Sequence, residues 1–318
     1  MSEQSRLKFF PISFFSVVMG LSGFTIAMEK AEEIFALPVQ PSAWLLALTA
    51  MVFATLAVLY LSKIANFREA VVKELNHPVK LSFFPTFSIS LILLAVALLP
   101  FAMALSHLLW IAGTAMHLGF TVFVLARWIN HDTFAIQHSN PSWFIPMVGN
   151  ILVPIAGVAH GYHEVSWFFF SVGLLFWLVL LTIIFNRVIF HPPLPEKLVP
   201  TFFILIAPPA VGFLSYLKLV GEIDGFARFL FYVALFFLIL LLSLYRKFMG
   251  LRFYLSWWAY SFPVAAFAIA SMAMYRQLHG GFFLALAVFM LVLLTLIIGV
   301  LVYKTLAAIG KGEICVED

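Results

Sequence analysis

The sequence predicts an all-α integral membrane protein: ten transmembrane helices arranged as five helical hairpins, in a single domain over residues 1–318. Three observations predict it. Of the 318 residues 64% are hydrophobic and 10% charged, against roughly 45–50% and 25% in a soluble domain. Mean hydropathy is +1.08, so too few polar side chains exist to cover a globule and lipid is the solvent for most of the chain. Charge and turn clusters then cut the chain into ten apolar runs, each close to the roughly 20 residues that a bilayer crossing needs. Finally, the basic residues divide unevenly between the two sides that this alternation creates.

In order, the runs are about 9–29, 42–62, 82–104, 106–127, 143–160, 164–187, 198–218, 226–245, 254–276 and 281–303. The first follows a short polar start with no small-residue cleavage site, which reads as a span and not as a removed signal peptide. The third and fourth are separated by little more than Leu105-Ser106; residues 82–127 are too long for one crossing and form a tight hairpin. The loops leave no room for a catalytic or nucleotide-binding domain, and no Gly-rich phosphate loop, His-Glu-x-x-His or Cys pair is present. An ATP-driven pump and an enzyme are therefore disfavoured, no cofactor or nucleic-acid partner is expected, and the lone Cys315 allows no intrachain disulfide.

With the N-terminus cytoplasmic, fourteen of the 18 basic residues fall inside and only Lys30, Lys218, Arg228 and Arg276 outside. This asymmetry places both termini in the cytoplasm. The inner loops carry +6 (14 basic, 8 acidic) and the outer ones −2 (4 and 6). Every carboxylate sits at a segment end or in a loop, and no Lys or Arg lies mid-span. Carriers coupled to cations or protons usually hold the ion at an intramembrane carboxylate, so no coupling site is evident.

Each odd segment opens on a similar string: Phe9-Phe10-Pro11-Ile12, Phe83-Phe84-Pro85-Thr86, Phe144-Ile145-Pro146-Met147, Leu198-Val199-Pro200-Thr201 and Ser261-Phe262-Pro263-Val264. The prolines are 74, 61, 54 and 63 residues apart, the length of a hairpin, and the even segments lack the string. A proline removes a backbone donor and kinks a helix, freeing a carbonyl that lipid cannot satisfy. Pro11, Pro85, Pro146, Pro200 and Pro263 are accordingly expected to kink an inner ring of five parallel odd helices around a narrow, weakly polar path. The even helices form an outer ring against lipid. Small polar residues also favour the odd segments, and those expected to line the path are Phe15, Ser16, Ser88, Asn150, Ser261 and Ala266. The positive dipole ends of the odd helices gather at the cytoplasmic mouth and attract anions.

Two histidine features carry less. His160 and His163 beside Glu164 lack a third and fourth ligand of fixed spacing, so a solvated loop is favoured over a metal site. His117, in an even segment, reads as a packing histidine needing one hydrogen-bond partner.

The odd-segment strings, with Trp257-Trp258-Ala259-Tyr260-Ser261-Phe262-Pro263 and Phe-Pro-x-x-x-Phe at both Phe10–Phe15 and Phe262–Phe267, resemble the tellurite-resistance/dicarboxylate transporter family along the whole chain. The resemblance implies a homotrimer in a bacterial inner membrane, with one pore per protomer plugged by a phenylalanine that maps onto Phe262. Some members of that family conduct small monovalent anions such as chloride and nitrate; others export malate or sulfite. The function expected here is a gated channel for small inorganic anions. The alternative is a secondary transporter exporting dicarboxylate, sulfite or tellurite-type oxyanions. The lack of a buried Lys or Arg counts against tight dicarboxylate binding, and phosphorylation control through long termini, as in plant members, is not expected.

Overall fold

The computed structural model describes residues 3–36, 38–130 and 134–316, and these residues form helices and turns with no strand. The helices are α1 (Glu3–Lys8), α2 (Phe15–Phe35), α3 (Pro41–Asn66), α4 (Arg68–Leu75), α5 (Thr86–Leu98), α6 (Met103–Asn130), α7 (Phe144–Val148) and α8 (Val153–Gly157). They continue with α9 (His163–Phe190), α10 (Ala207–Val220), α11 (Gly225–Ser243), α12 (Tyr245–Phe248), α13 (Ser261–Leu278) and α14 (Gly281–Lys311). Nine helical stretches among the described residues are long and apolar enough to cross a bilayer, and the shorter Pro141–Gly157 makes the tenth segment.

That fifth segment is not the continuous helix expected. It runs as 3-10 turn (Pro141–Trp143), α7, 3-10 turn (Gly149–Leu152) and α8. Pro146, Pro154 and the Gly149-Asn150 pair each interrupt the α-helical ladder. Because 3-10 geometry rises faster per residue, this short segment still extends about 29 Å, close to the hydrocarbon thickness. The third segment also ends earlier than expected: α5 stops at Leu98 and α6 begins at Met103. Pro100 sits in the turn, where it cannot continue the helix and restricts the residue before it.

Odd and even segments differ in surroundings. In the odd spans Ile12–Phe35, Lys80–Leu98, Glu196–Val220 and Leu255–Leu278, 78%, 83%, 83% and 67% of the apolar stretch is buried, whereas the even spans range from 17% to 39%. The packing order explains it. α2 packs on α5, α5 on the broken segment, α8 on α10, α10 on α13, and α13 back on α2. Each even helix lies on its own odd partner and on the next: α3 on α2 and α5, α6 on α5 and α8, α9 on α8 and α10, α11 on α10 and α13, α14 on α13 and α2. The even helices keep their outer faces apolar and uncovered, with Trp44, Leu108, Phe190, Phe236 and Leu296 among the exposed side chains, as contact with lipid requires.

The prolines act differently from the kinks expected. Every odd segment opens in 3-10 geometry: Ile12–Phe14, Lys80–Phe83, Pro141–Trp143, Glu196–Ile206 and Leu255–Tyr260. Pro11 is extended (φ −85°, ψ 145°) just before the first of these, Pro85 is the N-cap of α5, and Pro263 is the third residue of α13. In the first turn a helix has unpaired N–H groups in any case, so a proline there removes no bond. Pro146 is likewise the third residue of α7, and only Pro200 lies inside a helical stretch.

Candidate anion pathway

The two ends of the odd helices carry charge and the middle does not. At the N-terminal end of α2 the chain breaks around Pro11, leaving the Phe10 carbonyl and the Ile12 N–H without helical partners. Lys63, from the end of α3, donates to the Phe10 carbonyl (2.8 Å), and Glu74, from α4, accepts the Ile12 N–H (2.9 Å). The two side chains pair with each other at 2.7 Å, and the Tyr60 hydroxyl donates to the same carboxylate (3.1 Å). Lys63 and Glu74 are both buried. Lys63 follows a segment end and Glu74 lies in the loop beyond it, yet neither is solvated: α4 folds back after Phe67 and carries Glu74 under the end of α2. A lysine and a glutamate 11 residues apart signal such a pair only once that turn is known.

At the opposite end, the last turns of α2, α10 and α13 come together. Lys30 bonds Glu29 (2.9 Å) and Glu33 (3.2 Å), Arg276 bonds Glu33 (2.5 Å), and Lys218 lies within their electrostatic reach. Glu32, in the same last turn of α2, accepts from the Ser42 N–H (2.7 Å), so three cations meet three carboxylates at this end. Lys30, Lys218 and Arg276 thus sit on odd helices, close to one another.

Between these ends, α13 packs against α2. Gly20 and Gly23 of α2 make the approach possible. A Cβ on Gly23 would lie 2.9 Å from the Ala265 Cβ and 3.3 Å from Cδ2 of Phe262; one on Gly20 would meet the Ser261 hydroxyl and, at 2.8 Å, the Trp258 ring. Trp258 is fixed by its indole N–H donating to Thr305 of α14 (3.0 Å), and the Ser261 hydroxyl donates to the Trp258 carbonyl (2.6 Å). Phe262 follows directly. It is half-buried between buried Ser261 and Pro263, and among the described residues no other aromatic ring packs on it. Phe267, five residues on, is by contrast fully buried and stacked on Phe231 (5.4 Å). Within Ser261–Met274, only Phe262, Ile269 and Ala273 escape full burial. Spacings of seven and four place these three on one face of a helix otherwise enclosed.

The other residues expected to line the path make the following contacts. Phe15 packs edge-on against Phe87 of α5 (5.0 Å) and against Phe53 and Tyr60 of α3 (6.0 and 6.2 Å), so it joins two odd helices and an even one. Ser88 bonds Nδ1 of His117 on α6 (2.9 Å), and Asn150 donates to Thr121 on α6 (3.0 Å) and to the Met147 carbonyl (2.7 Å). The Ser88 and Asn150 polar groups thus meet the outer helix α6. Ser261 and Ala266 are buried between helices, and Ser16 is half-buried with its hydroxyl returned to the Ser13 carbonyl (2.6 Å). Asn150 and His117 also hold the broken segment in place, since a Cβ on Gly149 would meet the His117 ring at 2.5 Å.

His160 lies in the turn between α8 and α9 and is half-buried. It stacks on His107 (4.9 Å) and bonds Ser106 (3.0 Å); burial, then the neighbouring His107 charge, hold its pKa below the ordinary imidazole value.

A family model described as voltage-dependent anion channel, SLAC1, matches residues 9–306. The chain belongs to the SLAC1 family. Its relatives include the S-type anion channel SLAH3 of Arabidopsis thaliana, 30% identical over 82% of this chain and 42% of the plant protein. The guard cell S-type anion channel SLAC1 of the same plant is 27% identical over 93% of this chain and 55% of its own length. The tellurite resistance protein TehA homolog of Haemophilus influenzae is 26% identical over 95% of this chain and 92% of its own. This SLAC1-family chain therefore spans about half the length of the plant relatives and nearly all of the bacterial one, and the resemblance read from the odd-segment strings holds over the whole membrane region.

Proposed function

We propose that this chain is a gated channel for small monovalent anions, with its path at the centre of the five odd segments and Phe262 as the closing side chain. The observation that carries the reading is the half-exposed face of Phe262, Ile269 and Ala273 on an otherwise enclosed helix. An apolar ring across a narrow neutral path excludes water, and an ion cannot pass where its hydration shell cannot. Gly23 leaves Phe262 the space opposite, and no aromatic neighbour holds the ring in one rotamer. The excess of basic residues on the side of the chain's start concentrates anions at that mouth without fixing them. In between, no described span carries a mid-membrane charge that would bind a dicarboxylate firmly or couple its export to a cation. That favours the channel over a secondary transporter of dicarboxylate, sulfite or tellurite-type oxyanions. The names of the relatives, S-type anion channels, support the same ion class.

In this reading the chain is one channel domain in a bacterial inner membrane, both termini cytoplasmic, with one path in each copy of a homotrimer. It has no enzymatic step and takes no cofactor. With no strong site to repay the dehydration of a small ion, permeability should favour large, easily dehydrated anions over chloride. Reversal potentials of the purified protein in bilayers test this. Iodide and nitrate should pass ahead of chloride; fluoride ahead of iodide, or a cation current, would refute it.

A further inference from the structure

We propose a second anion site, apart from the conduction path, that binds a phosphate group between Arg187 and Lys247. A cavity of about 70 Å³ lies where the end of α9, the turn at residues 191–194, the 3-10 stretch Glu196–Ile206 and α12 meet. Arg187, Lys247 and His191 line it together with Phe202, Pro192 and Leu194, and no carboxylate does. Arg187 is 3% exposed, far less than a guanidinium normally is. One of its nitrogens donates to the Pro192 carbonyl (2.5 Å), its Nε has no partner, and no described carboxylate pairs with it. A buried guanidinium with free donors is costly unless an anion completes it.

Lys247 supplies the second charge. Its ammonium lies 4.7 Å over the Phe202 ring, which holds it at the cavity although the rest of the side chain is exposed. The carbonyls at the end of α9 work against an anion, but two cations exceed that half charge. Arg187 presents a planar fork suited to oxyanions, Lys247 a point charge, and the cavity takes a group of phosphate size. It lies at the membrane side carrying most of the basic residues, level with headgroups. The phosphate can therefore come from an anionic lipid or from solution. The competing view is that Arg187 merely caps α9.

The full chain purified in detergent, titrated with inorganic phosphate at constant ionic strength and followed by thermal unfolding, distinguishes the two. Phosphate should stabilise saturably. Lys247→Gln, an exposed position whose loss does not threaten folding, should weaken the apparent affinity roughly tenfold, and Lys311→Gln, equally exposed but remote, should not. Arg187→Gln, where it folds, should abolish the response. In nanodiscs, phosphatidylglycerol that removes the response to added phosphate would identify lipid as the source, and an undiminished response would identify the free ion. No saturable shift in the unaltered protein, or equal affinity in Lys247→Gln, would overturn the proposal.

Discussion

Removing Glu74 should cost more than removing any other surface-side carboxylate, because three donors converge on it: the Ile12 N–H, the Tyr60 hydroxyl and the Lys63 ammonium. Deleting one member of a buried ion pair costs about 3–5 kcal/mol, since the other charge stays behind uncompensated. Glu74→Ala belongs in that range. The double variant Lys63→Met/Glu74→Leu removes both charges, and for an ordinary buried pair the result would be near neutral. Here it also orphans the Phe10 carbonyl and the Ile12 N–H that flank Pro11. At about 1–3 kcal/mol for each unsatisfied group, the double variant should remain at least about 2 kcal/mol less stable than the parent. Lys73→Ala, exposed on the same short helix, should stay within about 0.5 kcal/mol. SDS-titrated unfolding in mixed micelles reads all three. A double variant as stable as the parent would show that the pair does not hold the start of α2, and an unaffected Glu74→Ala would show that the carboxylate is solvated.

Two further outcomes follow from the packing and the charge distribution. Gly23→Ala should destabilise by about 1–3 kcal/mol through overpacking against Ala265 and should change anion conductance, because the same Cβ presses on Phe262; unchanged flux would separate α2 from the gate. With Cys315 replaced by Ser, single cysteines at Lys30, Glu164, Asp224 and Gly280 should react with an impermeant outside reagent, and those at Lys73, His138 and Arg252 should not. Labelling at residue 73 from outside intact cells would overturn the topology.

Much of the scaffold was legible because each crossing needs a fixed length of apolar chain, and because alternate segments share an apolar-Pro string that the even ones lack. The difference in burial between odd and even helices follows that alternation. What the sequence did not show was direction around a helix. α5 is apolar on nearly every side, so nothing in it marks Ser88 as facing His117, and Asn150 likewise turns to Thr121. The break in segment five was written in Gly149-Asn150 and Pro154, but apolar length alone reads over it. Contacts between distant positions were beyond reach: Gly23 with Phe262 and Ile12 with Glu74 depend on how helices meet. Phe262 stood out through its string and the family resemblance, whereas Ile269 and Ala273 became visible only once the rest of α13 was seen to be enclosed.

The most direct test of the gated path is single-channel or liposome anion flux through Phe262→Ala, with Phe10→Ala as the control. Phe10 occupies the same place in its own string but stacks face to face on Phe14 at 4.8 Å, so its loss removes packing and not a barrier. If Phe262 fills a path, its truncation should leave the protein folded and raise conductance severalfold, with Phe10→Ala changing it less. If Phe262 were ordinary core, Phe262→Ala would instead destabilise by about 3–5 kcal/mol and leave the current of the folded fraction unchanged, and that result would contradict the account.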